Sequence, residues 1–327
     1  MTTLSASPAR SYVACVPHVP LIKMQERESN AALWAAYDAR VAEFEAFDPE
    51  IVIVFGGNHY QGVHLNLSPT FIVGQIAEAV DDCGGTPGKL DIPMEASLAL
   101  AAALVEDGFD IATSYAMIID HGFTNVLASF LDGKIDARPV IPIHINSLTF
   151  PRATMKRCRE LGEAVGRHAA TLGKRIAFLG SGGLSHQTDF IFPQYDTAPS
   201  EEIRHFIVHG GGGEISLQKW MDDIQTGMDG LSGGILDGSF HVPWINAEWD
   251  RHFLDVFAKG DLAAFDNWSD TDILEKGGYG GGEIRMWIAA AAAGLAAGAS
   301  SLSVDYYSEH DPIAVGAAVA HAEGAVA

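Results

Sequence analysis

Four histidines of this chain stand where an apolar stretch gives out. His18 follows the run 12–16 in C-V-P-H-V-P, and His59 follows I-V-I-V-F in G-G-N-H-Y-Q-G. His121 closes I-I-D-H-G-F, and His186 lies in G-S-G-G-L-S-H-Q. Ligands of open α/β sheets gather beyond the carboxyl ends of the strands, so four imidazoles placed there can converge on one site. Two neutral imidazoles and a carboxylate with coordination positions left open suit a non-haem Fe(II) oxygenase, whereas three closed nitrogen or sulfur ligands favour Zn²⁺. The carboxylate candidate is Glu283 in G-G-Y-G-G-G-E-I-R-M-W, where the glycines let the backbone come close and a helix begins. On spacing alone the plainer reading of Glu283 is the stronger: a first-turn acid set against the helix dipole.

Each histidine also has a plainer reading as a hydrogen-bonded structural residue, and it is the grouping that favours chemistry. His64, His144, His168, His205, His209, His241, His252, His310 and His321 lack the strand-end Gly, Pro or Asp context and read as structural. His144, in I-P-I-H-I-N, fits a buried core position as well as a site. No H-E-x-x-H, paired C-x-x-C, P-loop or EF-hand string occurs. Around Ser181 and Ser185 the spacing departs from G-x-S-x-G, and no Lys or Arg closely follows this Gly-rich turn. Serine hydrolysis and nucleotide binding are therefore weakly supported.

The elements that must carry these residues alternate. Strands are expected at 12–16, 51–55, 110–119, 139–146 and 176–181, with helices at 31–47, 94–107, 122–131 and 152–172 between them. Continuously apolar strands alternating with helices predict an α/β fold whose sheet is covered on both faces. Beyond Ser185 helices are expected at 214–228, 247–259 and 282–297. The 327 residues suggest roughly two domains by length, but no linker or repeat divides them, so a single domain is the reading. Residues 1–313 form the expected catalytic domain and 314–327, rich in Ala and Gly, a tail that is helical or frays.

Lys and Arg number 20 against 42 Asp and Glu, a formal charge of −22. This opposes approach to polyanions, so neither nucleic acid nor an anionic membrane surface is expected as a partner. Cys15, Cys83 and Cys158 are odd in number and far apart, which fits a reducing compartment and hence the cytoplasm. No signal peptide or spanning segment is expected.

Taken together and in order, P-H-V-P, N-H-Y-Q-G, D-H-G-F, G-S-G-G-L-S-H-Q and G-G-G-E-I-R-M-W, with W-D-R-H-F-L-D at 249–255, resemble the class III extradiol ring-cleaving dioxygenases of the protocatechuate 4,5-dioxygenase catalytic-subunit type. The likeness runs from about residue 12 to about residue 298. It implies a three-layer α/β/α fold with a central, mostly parallel or mixed sheet. It also implies one Fe(II) held by His18, His59 and Glu283, and catalytic roles for His186 and His121. Ring opening needs a base and an acid; His186 is read as the base and His121 as the acid, and the reverse assignment stays open. The implied substrates are O₂ and an aromatic diol, 2,3-dihydroxyphenylpropionate-like or another substituted catechol, and the implied assembly is a homo-oligomer.

Members of that family often carry Asp immediately before the second ligand, where this chain has Asn58. An amide can orient His59 but does not raise its basicity as a carboxylate does. Asp120 either orients a hydrogen bond behind the site or caps the next helix. Arg157, Arg204, Arg251 and Arg285 are candidates to meet a substrate anion, although Arg285 faces away from Glu283 on a helix. Tyr60, Phe123 and Trp244 can pack on a ring, with core packing the plainer reading. A metal-dependent hydrolase on the same scaffold and a catalytically silent binding protein are the other classes, and metal analysis separates them.

Overall fold

The computed structural model describes residues 11–240, 245–310 and 312–323. His241, Trp244 and the ends of the chain lie outside them. Eleven strands are described: β1 Ser11–Val16, β2 Ile51–Gly56, β3 Phe71–Gly74, β4 Ala77–Ala79, β5 Gly88–Lys89, β6 Ala112–Ser114, β7 Met117–Ile119, β8 Val140–Ile145, β9 Ile176–Ser181, β10 Ser301–Ser308 and β11 Ala317–Glu323. The helices are α1 Leu21–Met24, α2 Ala31–Phe47, α3 Met94–Glu106, α4 His121–Phe130, α5 Met155–Thr171, α6 Glu201–His209, α7 Leu217–Asp237, α8 Ala247–Phe257, α9 Asp270–Gly277 and α10 Ile284–Ala296.

The main sheet has the order β10-β11-β1-β9-β2-β8-β3-β6, and a small sheet has the order β5-β4-β7. Strands β1, β9, β2 and β8 run parallel. Strand β3 is antiparallel to β8, and β11 is antiparallel to both β1 and β10. The sheet is mixed around a parallel centre, which puts the carboxyl ends of β1, β2 and β9 on one edge.

Alternate residues of the parallel strands enter two cores. Val13, Cys15, Ile51, Ile53, Phe55, Ile141 and Ile143 pack with α5, α8 and α10. Tyr12, Ala14, Val16, Val52, Val54, Val140 and Leu179 pack with α2, α4 and the α6–α7 region. Burial on both faces is why these strands read as unbroken apolar runs. Helix α5 crosses α10 at small residues: a methyl added at Gly162 or Gly166 would collide with the carbonyl oxygens of Ala289 and Ala293. That close approach holds α10, and with it the turn ahead of α10, against the sheet.

Two expectations are corrected. The single strand expected over 110–119 is two, because the chain bends at Tyr115 and Ala116 and passes from β6, paired with β3, to β7, paired with β4. The C-terminal segment neither frays nor forms a helix over 317–323. Its small side chains fit a strand buried between β10 and β1, with Val13 paired to Ala322. Among the described residues no helix is long and apolar enough to cross a membrane, and Cys15, Cys83 and Cys158 are free and buried.

Candidate metal centre

Three sheet strands deliver three of the histidines. His18 lies two residues past β1, His59 three past β2 and His186 five past β9, while His121 opens α4 directly after β7 and Asp120. All four are buried. Glu283 arrives from the far side, at the end of the Gly280–Glu283 turn that leads into α10. Glycines make this approach possible: a Cβ on Gly182 would lie 2.7 Å from the Cβ of Glu283, and one on Gly280 would strike the His186 ring. The glycine loop is also stitched to His186, whose N–H donates to Gly277 O at 3.0 Å and whose carbonyl accepts from Gly280 N at 3.0 Å.

Glu283 Oε1 is the point of convergence. It lies 3.3 Å from His18 Nε2, 3.8 Å from His59 Nε2 and 3.9 Å from His186 Nε2. Its other oxygen, Oε2, accepts the N–H of Gly183 at 2.7 Å, which leaves Oε1 for the cluster.

Each ring is oriented through Nδ1. Ser181 Oγ donates to Gly122 O, so at 3.0 Å it accepts from His18 Nδ1–H. His59 Nδ1 faces Asp120 Oδ1 at 3.3 Å, His186 Nδ1 faces Leu184 O at 2.8 Å, and His121 Nδ1 faces Asp82 Oδ2 at 2.5 Å. A carbonyl or carboxylate accepts only, so each of these rings carries a proton on Nδ1, and Nε2 is the nitrogen left to meet a metal or a substrate. The His121 ring stacks on His59 with centroids 4.2 Å apart.

The charges are coupled. Burial alone would raise the Glu283 carboxyl, but His18, His186 and His59 around it hold it well below the usual carboxylate range. Burial lowers His18 despite the neighbouring Glu283. At His59 burial acts downward too, yet Asp120 and Glu283 outweigh it and push the ring up to about 10. Metal bonds of about 2.0–2.2 Å set adjacent ligand atoms about 3 Å apart, close to the spacing of His18 Nε2 and Glu283 Oε1. Two imidazoles and one carboxylate with further positions open fit a ferrous ion. His18, His59 and His121 also offer nitrogens within 4.8 Å of one another. Glu283 Oε1, 3.3 Å from His18 Nε2 and 3.8 Å from His59 Nε2, would bring negative charge to the same place.

The cavity over this cluster is walled by Val19, Leu21, Phe190, Ile191, Phe192, Met228, Leu231 and Ile313. Phe192 packs on His59 at 4.8 Å. None of the four arginines reaches it, because each is held by acidic partners elsewhere: Arg157 by Glu160, Arg204 by Glu201, Arg251 by Glu309 and Arg285 by Asp270. Buried Arg285 instead donates to Ala153 O and Gly282 O, bracing the glycine turn. Tyr60 is buried away from the cavity with its hydroxyl on Pro193 O, and Phe123 is core, packed where Gly56 leaves room. Asn58 accepts from Gly62 N and Val63 N and so shapes the turn after His59 without touching its ring.

Asp120 fills both roles foreseen for it. It accepts from Gly122 N as the cap of α4, and it holds His59. Sequence reasoning missed Asp82 and Ser181 as orienting partners. It also missed Asp250, the acid of W-D-R-H, which accepts from both N–H and Oγ–H of Ser185 beside His186.

Fold and site together define an α/β enzyme with a buried centre able to bind a metal ion. Residues 12–320 match the model of the catalytic LigB subunit of aromatic ring-opening dioxygenase, and the chain belongs to that family. It is 39% identical over 307 residues, 92% of this chain and 95% of the other, to a 2,3-dihydroxyphenylpropionate/2,3-dihydroxicinnamic acid 1,2-dioxygenase of a Rhodococcus species. Proteins of the same name from Azotobacter vinelandii and Cupriavidus necator are 38% and 36% identical, covering 90% and 98% of this chain and 92% and 97% of theirs. The crystal structure of the uncharacterised protein JW3007 from Escherichia coli K12 shares the fold, with a TM-score of 0.50 at 13% identity over 95% of this chain and 98% of that one.

Proposed function

We propose that the protein is an Fe(II)-dependent extradiol dioxygenase. Its reaction opens the ring of a 2,3-dihydroxyphenylpropionate-like or other substituted catechol and inserts both atoms of O₂. The carrying observation is the convergence of His18 Nε2 and His59 Nε2 on Glu283 Oε1, with His186 and His121 beside them. The names of the relatives support the substrate class. A ferrous ion held by those three atoms would chelate both catechol hydroxyls and let electron density pass from the ring to O₂.

The protein residues do the rest. His186, its Nδ1–H fixed on Leu184 O, takes the catechol proton at Nε2. His121 takes up the proton of the other hydroxyl at Nε2 as the diol binds and would return it to the leaving oxygen during ring opening. Leu21, Ile191 and Phe192 pack around the aromatic ring and keep bulk water from the reacting atoms. Free, buried thiols support a cytoplasmic setting, and the family likeness supports a homo-oligomer.

The test is O₂ uptake and visible absorbance of anaerobically Fe(II)-loaded protein with 2,3-dihydroxyphenylpropionate, protocatechuate, gallate, methylgallate and catechol. One O₂ consumed per substrate with a yellow ring-opened product is expected. Bound iron without uptake on any of the five overturns the proposal, and failure to bind iron favours the hydrolase or silent reading.

A further inference from the structure

Asp82 lies in the turn between β4 and β5, outside every string that pointed to the site, and is 2% exposed. Three N–H donors meet its two oxygens. Oδ1 accepts the backbone N–H of His121 at 2.8 Å, and Oδ2 accepts the His121 Nδ1–H at 2.5 Å and the Gln61 Nε2–H at 3.1 Å. Only an acceptor-only group satisfies three donors in this way, which an ionised carboxylate is and an amide is not.

Asp82, Cys83 and His121 also offer atoms near enough to share a metal ion. The 2.5 Å between Asp82 Oδ2 and His121 Nδ1 is a hydrogen-bond distance. It is shorter than the roughly 3 Å that two bonds of about 2.1 Å set between neighbouring ligand atoms. The pair is therefore a carboxylate–imidazole dyad.

We infer that Asp82 is the positioning residue of His121. It fixes the ring in its Nδ1–H form, stacked on His59, so that Nε2 is the only nitrogen that exchanges a proton with substrate. This rests on the assignment of His121 as the proton donor. Asp82 and Asp120 divide the labour: Asp120 orients a ring that binds the metal, Asp82 a ring that handles a proton.

Asp82→Asn keeps the shape and turns one acceptor into a donor, so the His121 ring must shift its proton to Nε2. In Fe(II)-loaded enzyme the expected result is a fall in kcat on the order of 10²–10⁴-fold. Iron content should stay at the wild-type level and KM should hold within about threefold, as expected when a transition-state interaction is what is lost. Asp82→Glu, which keeps both acceptors, should retain at least about tenfold more kcat than Asp82→Asn. In a His121→Gln background Asp82→Asn should change kcat by less than about twofold, because the two act as one unit. An equal loss in both backgrounds overturns the inference.

A second readout does not depend on turnover. In metal-free protein labelled with ¹⁵N-histidine, one Nδ1-protonated ring signal should vanish in His121→Gln and move to the Nε2-protonated position in Asp82→Asn. A spectrum untouched by Asp82→Asn overturns the inference. Ring signals that behave as expected in a wild-type protein that cleaves no catechol would retire the dioxygenase reading and leave the hold of Asp82 on His121 standing.

Discussion

Both oxygens of Asp120 reach His59, and Oδ1 is shared with the N–H of Gly122. Oδ1 lies 3.3 Å from the ring Nδ1, and Oδ2 accepts the backbone N–H at 2.5 Å. The carboxylate behind His59, the second proposed ligand, therefore comes from a residue about sixty positions away, not from position 58. Asp120→Asn is expected to weaken Fe(II) affinity about 10–100-fold, the usual effect of removing a partner behind a ligating histidine. Asn58→Ala loosens a turn and should leave the affinity within about threefold. Anaerobic Fe(II) titration of both variants is the measurement, and an equal weakening would contradict this division.

Metal content should sort the five residues at the centre. His18→Ala, His59→Ala and Glu283→Ala are each expected to lower iron to a small fraction per chain after loading and desalting. His121→Ala and His186→Ala should keep iron and lose turnover by about 10²–10⁴-fold, the range for a positioned acid or base. Iron retained in all three of the first group would defeat the ligand assignment.

Gly280 offers a test of the glycine loop. A methyl there would push into the His186 ring, to which its three nearest atoms all belong. Displacing a catalytic group by about 1 Å can reduce rate by about 10²-fold. Gly280→Ala is therefore expected to bind iron normally and to cleave substrate about a hundredfold more slowly, as read from parallel iron assays and O₂ uptake.

Much of the centre was legible because strand ends are punctuated. An apolar run followed by Gly, Pro, Asn or Asp and then His marks His18, His59, His121 and His186 by local pattern alone. Glu283 needed the whole ordered set, since a helix-start acid after glycines has an ordinary explanation. Asp82 was not legible. It sits in D-D-C-G-G, which reads as a turn, and its partner is 39 positions further along the chain. Asp120 was legible only as two alternatives, and the structure shows both. Strand β11 escaped because Ala and Gly carry weak strand preference, and its place follows from the small space between β10 and β1. The 110–119 stretch was apolar enough to pass for one strand, and nothing in its composition announces the change of sheet.

His144 supplies a pH test. It is buried in β8 with neither ring nitrogen hydrogen-bonded among the described residues, and burial lowers its pKa to about 4. The unfolded ring takes a proton near its ordinary value of about 6.5. The neutral ring's contribution is thus complete above that value and is lost as pH falls towards 4. The loss should reach about 3 kcal/mol. Urea unfolding of metal-free wild type and His144→Leu at pH 7, 5.5 and 4.5 should show the variant gaining about 2–3 kcal/mol relative to wild type over that range. Parallel pH profiles for the two proteins would show that His144 titrates alike in the native and unfolded states and would contradict this reading.

The pairing of β1 with β11 joins Val13 to Ala322, and the three proposed ligands are spread from His18 to Glu283. On the ribosome, the strand that leads to His18 waits for a neighbour that is made some three hundred residues later. Closing so long a loop is entropically slow, and non-local strand pairing delays folding further. A nascent chain can therefore present His18 and His59 long before Glu283 exists to complete the set. The proposed metal set is then completed only late in synthesis, and until Glu283 is made the two histidines lack the carboxylate proposed to share the ion with them.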